Sequence, residues 1–391
     1  MTQFVNGVYR VGTNVFTSKF EALLHATSTN QKVTYYYYDE IWDFAINTFN
    51  YDNVNLLDMY KQRAQQIRDK YGYLVLHFSG GSDSTGVLQA FIDNGIKLDE
   101  VYVKWPLKLL NSGIYTPDIN NIGATNMLSE WDFSIKPKLD WLRQHHPEIK
   151  IVVEDWTDEL YQFNANELND KLFFKHNHNF GLVNFIFSEM LSKSSMEMQA
   201  KGVSVAHIYG AEKPLLTYVA DTKEFFTYFT DASTTAVGYQ HAHGKIDLTN
   251  KVDFYLAFEY PQMTIARAYT MAKYLQKNTS MLYLVDSNNR SLPNDERVKR
   301  IDGFQKLGST VLYPKWDTTT FQVEKNDVSN RLYHPWYYYI FDRVEFSDKQ
   351  KKIETKLKDF SFGINDDHKN MNETGDMVGL KPVSTKFFKL K

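Results

Sequence analysis

The stretch Tyr73-Leu-Val-Leu-His-Phe-Ser-Gly-Gly-Ser-Asp-Ser-Thr-Gly-Val-Leu-Gln-Ala-Phe91 constrains the fold of this chain more than any other. Tyr73 to Phe78 is a short apolar run of strand-forming residues that stops at two glycines. From Thr85 the period changes, because Val87, Leu88, Phe91 and Ile92 fall on one face of a helix. The segment therefore reads strand, tight glycine turn, helix. Asp83 and Ser84 stand near the expected helix start, and both residue types cap such starts.

That geometry dictates a chemistry. A helix N-terminus presents unpaired N–H groups and the positive end of the macrodipole, so it attracts anions. Gly80 and Gly81 allow close approach of a phosphate, and Ser79, Ser84 and Thr85 add hydroxyl donors. A carboxylate in a phosphate cradle, Asp83, is unfavourable by itself. A Mg²⁺ between carboxylate and phosphate removes the conflict, since hard cations take oxygen ligands from both.

The common mononucleotide loop G-x-x-x-x-G-K-[ST] needs a lysine that is missing here. The run Ser79-Gly-Gly-Ser-Asp-Ser84 instead resembles the S-G-G-x-D-S loop of the ATP pyrophosphatases, such as asparagine, GMP and NAD synthetases. The resemblance implies an α/β fold with a twisted parallel sheet and helices on both faces. It also implies ATP bound through Ser79, Gly80, Gly81, Ser82, Asp83, Ser84 and Thr85, with Mg²⁺ on Asp83. A substrate oxygen would then attack the α-phosphate.

The absence of cysteine among 391 residues narrows the second half of such a reaction. It excludes thiolate zinc sites, Fe–S clusters and persulfide relays. It equally excludes an N-terminal cysteine glutaminase, since residue 2 is Thr2. Ammonia or an amine, from solution or from a separate glutaminase, is the simplest nucleophile on a small-molecule adenylate, which makes an amide-forming ligase. Sulfur transfer survives only with an external thiol, and a binding protein that kept the loop without catalysis is the remaining class. A net charge of −3 gives no support to nucleic-acid binding. No window reaches the ~18 apolar residues of a membrane helix, and the opening residues carry no secretory pattern. The expected location is the cytoplasm, that of the host if the chain is phage-encoded.

Ahead of the loop, Val8–Gly12 reads as a strand, Ser18–Ala26 as a helix, Lys32–Tyr38 as a strand and Leu57–Tyr71 as a helix. These make a small α+β cap over 1–72, with Arg63, Arg68 and Lys70 as its solvated face. The parallel-sheet domain is expected over 73–260 and an aromatic-rich extension, including Trp336–Phe341, over 261–391. Asp99–Trp105, Ile149–Val153 and Val203–Tyr209 read as further strands. Ligands sit at the carboxyl ends of such strands, which places Val103, Lys104 and Trp105 to meet adenine, with ordinary core packing the other reading of Trp105. The segment 107–125 reads as loop, Asn126–Leu142 as a helix broken at Pro137, and Leu160–Gly202 as helical.

A second turn, Gly210-Ala-Glu-Lys-Pro214, follows the Val203–Tyr209 strand. Its resemblance to the Gly-x-acid turn of asparagine-synthetase-like domains implies that Glu212 is a second Mg²⁺ ligand. It also implies that Lys213 neutralises phosphate charge; the other reading is an exposed turn with an ion pair. Leu215–Ala220 and Glu224–Phe229 read as a hairpin around Asp221-Thr-Lys, and Gln262–Leu275 as a helix carrying Arg267, a further candidate for contacting phosphate or a carboxylate. Asp366–Gly379 reads as a mobile loop. The pairs His176/His178 and His241/His243 admit a metal site or solvated loop histidines. Taken together, the cap, both turns and the aromatic C-terminal third are similar to asparagine-synthase-like proteins of tailed bacteriophages.

Overall fold

The computed structural model describes residues 7–113, 115–123, 126–158, 192–210, 213–231, 251–322, 369–371, 377–380 and 382–391. The chain opens with β1 (Val8–Val11), β2 (Asn14–Phe16), α1 (Lys19–Thr29), β3 (Val33–Tyr36), α2 (Asp39–Thr48) and α3 (Leu56–Lys70). Next come β4 (Tyr73–His77), α4 (Ser82–Ile92), β5 (Glu100–Trp105), α5 (Leu107–Leu110), a π-helical turn (Trp131–Ile135), α6 (Lys136–His145) and β6 (Lys150–Asp155). They are followed by α7 (Lys193–Ala200), β7 (Val205–Tyr209), the hairpin β8 (Leu215–Val219) and β9 (Glu224–Tyr228), and β10 (Lys251–Asp253). The described elements close with α8 (Pro261–Lys277), α9 (Asn294–Leu312), β11 (Lys369–Met371), β12 (Met377–Leu380) and β13 (Phe388–Lys389).

The central sheet runs β10-β7-β4-β5-β6, and every pairing in it is parallel. Leu74, Val75 and Leu76 of β4 are all fully buried. A strand buried on both faces reads as a continuous apolar run, which is why Tyr73–Phe78 lacks alternation. Leu74, Leu76, Val101, Val103 and Ile208 face the main core with α3, α4 and α8. Val75, Tyr102 and Val205 face the other side, where Met198 of α7 packs. The sheet thus carries helices on both faces. Numbering its strands by sequence, the order is 3-2-1-4-5, the doubly wound pattern that reverses direction between β4 and β7.

The cap is a sheet in the order β2-β1-β3 backed by α1, while α2 packs on α8. Ser18 caps α1, accepting from the Glu21 amide, and Asn55 caps α3, accepting from Leu57. The main core is continuous from Tyr9 in the cap to Leu390. Residues 382–391 bind the cap to the hairpin. The Tyr35 amide donates to the Ser384 carbonyl, Thr385 to that of Phe229, and β13 pairs with β9. Beneath them Lys19 and Asp231 form an ion pair at 2.8 Å with side chains 1% and 0% exposed. The Tyr9 hydroxyl and the Val383 amide complete the carboxylate at 3.0 and 2.9 Å.

Several expectations need correction. Arg63 is not solvated: it is 4% exposed and donates to the Asp253 carbonyl. Arg68 is bound to Asp99 and the Tyr71 carbonyl, which leaves Lys70 as the exposed member of that trio. Pro137 lies in the first turn of α6, where its missing N–H is harmless, so it starts that helix. The Asp366–Gly379 stretch holds β11 and all but the last residue of β12, paired antiparallel. Trp336–Phe341, most of Leu160–Gly202, Glu212 and both His-x-His pairs lie outside the described residues. Among the described residues no helix is long and apolar enough to cross a membrane.

Candidate nucleotide site at the sheet switch point

The loop after β4 and the turn after β7 leave the sheet at the point where its strand order reverses, the usual ligand crevice of such sheets. Gly80 has φ +76°, and a Cβ there would lie 2.7 Å from Ile135 Cγ1, so both conformation and space require glycine. The Ser134 hydroxyl of the π turn donates to the Gly80 carbonyl at 2.9 Å and fixes the bend. Helix α4 begins at Ser82 with Gly81 as its N-cap and no side-chain cap bond, so neither Asp83 nor Ser84 caps it.

The hydroxyls expected to line the concavity are mostly used within the loop. Ser84 accepts from the Ser79 amide and donates to the Gly81 carbonyl, and Thr85 donates to the Gly80 carbonyl. Ser82 bonds to Ser309 of α9 at 2.9 Å. Ser82, Ser84 and Thr85 are all buried, while Ser79 is exposed and Gly81 partly so. An anion would therefore meet backbone amides and the Ser79 hydroxyl.

Lys213 reaches this loop from the second turn. Its ammonium lies 2.7 Å from Asp83 Oδ2 and 3.1 Å from Ser82 Oγ, and its side chain is only 7% exposed. Gly210 permits the approach, since a Cβ there would sit 2.9 Å from the Asp83 carbonyl oxygen and from Val87 Cγ2. The other carboxylate oxygen, Asp83 Oδ1, accepts from the Tyr313 hydroxyl at 2.5 Å. Tyr313 in turn accepts from Arg267 of α8, and the Tyr255 hydroxyl donates to the Asp83 carbonyl at 3.0 Å. Burial by itself would raise the Asp83 carboxyl. The Lys213 charge and hydrogen bond, the Tyr313 hydroxyl and the Arg267 charge outweigh it and hold the group below its ordinary value.

Arg267 is thus no direct phosphate contact: it is 2% exposed, lies over the Tyr255 ring at 3.9 Å and braces Asp83 through Tyr313. Val103 is buried in the core and cannot meet adenine from there. Trp105 is likewise core, stacked on Trp131. Lys104 lies on the opposite face of the sheet, its ammonium 5.5 Å from the Tyr102 ring. Sequence reasoning missed Tyr313, Tyr255 and Ser309, which no motif marks.

A divalent cation fits this arrangement in one way. Among the described residues no group of three or more His, Asp or Glu side chains could hold a metal. Mg²⁺ needs no protein cage, because one carboxylate, phosphate oxygens and water suffice. Asp83 is 26% exposed, and a carboxylate offers about four lone-pair sites, of which Lys213 and Tyr313 take two. Asp83 could hold such an ion together with the phosphate oxygens of a bound nucleotide.

On the opposite face, His77 Nε2 and His207 Nδ1 lie 3.1 Å apart, and the His77 ring stacks on Tyr209. Burial and then the nearby Lys104 charge push His207 down to about 4, and burial followed by the His207, Lys104 and Lys251 charges lowers His77 well below its usual value. Both rings are therefore neutral at pH 7. As pH falls the unfolded chain binds protons first, so stability is full above about 6.5 and declines toward about 4. For His207 alone the urea-unfolding free energy should fall by about 2 kcal/mol between pH 7 and 5, against an opposite contribution from Asp253, which burial raises to about 7. A His77→Gln/His207→Gln double variant should lack this loss, so its stability relative to the wild type should rise from pH 7 to pH 5; a constant difference would refute the assignment.

Comparison with protein-family models, with curated proteins and with solved structures returns no match.

Proposed function

We propose that the chain is an ATP pyrophosphatase of the S-G-G-x-D-S type that activates a small-molecule oxygen acceptor for attack by ammonia or an amine. ATP binds with its phosphates on Ser79–Thr85. The acceptor oxygen forms a bond to the α-phosphorus, the bond to the bridging oxygen breaks, and pyrophosphate leaves. Attack of the nitrogen nucleophile on the adenylated carbon then forms a C–N bond and releases AMP. Little covalent work falls to the protein, so positioning and charge stabilisation supply the rate.

The observation that carries this reading is the Lys213 ammonium at 2.7 Å from Asp83, which brings the turn after β7 to the loop after β4. A cation there offsets charge on the departing pyrophosphate more than on bound ATP. Mg²⁺, held by Asp83 and phosphate oxygens, would supply further charge neutralisation. One observation favours a second reading, nucleotide binding without turnover: both Asp83 oxygens already have partners and the loop hydroxyls turn inward.

Incubation with ATP labelled at the α-phosphate, Mg²⁺, ammonium and pooled small carboxylic acids should place the label in AMP, with pyrophosphate released in equal amount. Production of ADP and phosphate would overturn the proposal. Calorimetric ATP binding with no AMP from any acid would establish the second reading instead.

A further inference from the structure

A cavity of about 590 Å³ runs along α4 on the flank that faces α6. Its size falls within the roughly 300–1,000 Å³ of small-molecule sites. One wall is the helical stripe Thr85, Leu88, Gln89 and Ile92, and the facing wall is Phe133, Ser134, Pro137, Lys138 and Trp141. Trp316 closes one side. Three aromatic side chains in one concavity offer flat apolar surface, and Trp141, although stacked on His145, is still 44% exposed.

Lys138 is the one cation of this lining without an ion pair among the described residues, and two lining carboxylates, Asp132 and Asp317, bond only to neutral donors. Lys315 pairs with Asp93 at 2.7 Å, Asp132 accepts from the Tyr115 hydroxyl, and Asp317 accepts from the amide and hydroxyl of Thr319. Lys138 donates to the Ser134 carbonyl and hydroxyl at 3.3 Å and lies 4.8 Å from the Trp316 ring centroid. It forms no ion pair among the described residues; the Asp317 charge acts on it only from a distance. Burial lowers its pKa to about 8, against that Asp317 charge, so an anion beside it would be stabilising.

We propose that this cavity binds a small planar aromatic compound bearing one anionic group, its ring against Trp316, Phe133 and Trp141 and its charge on Lys138. A neutral ligand would leave the ammonium without a counter-ion, and a cationic one would be drawn to Asp132 or Asp317 instead of Lys138. Ser134, which both lines the cavity and holds Gly80, puts the occupant one side chain away from the phosphate loop. An aromatic carboxylate here would serve as the oxygen acceptor. That extension alone rests on the nucleotide reading.

The test needs no nucleotide, so its failure is separate from failure of that reading. Naphthalene-2-carboxylate and the neutral 2-naphthalenemethanol are titrated into the full chain, followed by tryptophan fluorescence and calorimetry. The acid should bind saturably at one site, roughly tenfold tighter than the alcohol, as one charge-assisted hydrogen bond allows. Lys138→Met should erase that preference while leaving the alcohol unchanged. Trp141→Leu, at a largely exposed position, should weaken both ligands. No saturable binding of the acid up to roughly 5 mM, a preference retained in Lys138→Met, or unaltered affinities in Trp141→Leu would each overturn the proposal.

Discussion

Asp83→Asn should lower AMP-forming turnover by about a hundredfold or more and also destabilise the fold by about 2–4 kcal/mol. The catalytic effect follows from removing the one carboxylate, among the described residues, that pairs with Lys213 at the loop. The stability effect follows because Lys213, 7% exposed, keeps its charge and loses its counter-ion. Breaking a fully buried pair costs about 3–5 kcal/mol, and the partial exposure of Asp83 admits water that reduces the figure. Lys213→Met should lower the rate more than it weakens ATP binding. Because the Asp83 carboxyl is held below its ordinary value, its contribution is present above about pH 4 and vanishes as pH falls through the folded-state pKa. Denaturation midpoints and turnover, measured where both proteins are folded, separate the two effects. Wild-type turnover in Asp83→Asn would remove the residue from the site, and an unchanged midpoint would show that Lys213 finds another partner.

Asp231→Ala should destabilise the fold by about 3–5 kcal/mol. Lys19 has no route to water, and the Tyr9 hydroxyl and Val383 amide lose their acceptor together. Against a typical total of about 5–15 kcal/mol this threatens folding itself. A Lys19→Met/Asp231→Leu double variant should recover the part of the loss that comes from the stranded ammonium, while the Tyr9 hydroxyl and Val383 amide stay without this acceptor. If the double variant is no more stable than Asp231→Ala in urea, the charge pair is not the reason the site is sensitive.

What was legible in the sequence was mostly local. Tyr73–Phe91 announces strand, turn and helix within one window, and Asp221-Thr-Lys announces its hairpin, because glycine turns and pattern changes act over a few residues. Lys213 was found because its turn follows a strand in the same way. The failures share a different cause. Helix α2 was hidden by the run Tyr35–Tyr38, which looks like continuing strand; Tyr38 adopts φ +53° and ends it. Arg63 lies on a helix face that reads as solvated, yet it is buried by a carbonyl from residue 253. Tyr313 meets Asp83 across 230 residues with no pattern to mark it. Side chains that complete a site from distant segments leave no periodic trace.

The buried pair beneath residues 382–391 also sets a timetable. Tyr9 and Asp231 are 222 residues apart, and Val383 follows Asp231 by another 152. At a synthesis rate of about 5–20 residues per second, Tyr9 and Lys19 wait roughly 10–45 s for their carboxylate, and the closing strand comes later still. Throughout that interval the cap exposes a lysine ammonium and aromatic rings destined for the interior. Ribosome-bound chains arrested before residue 231 should therefore keep the cap sensitive to protease and bound by chaperones, however regular its strands and helices are in the finished molecule.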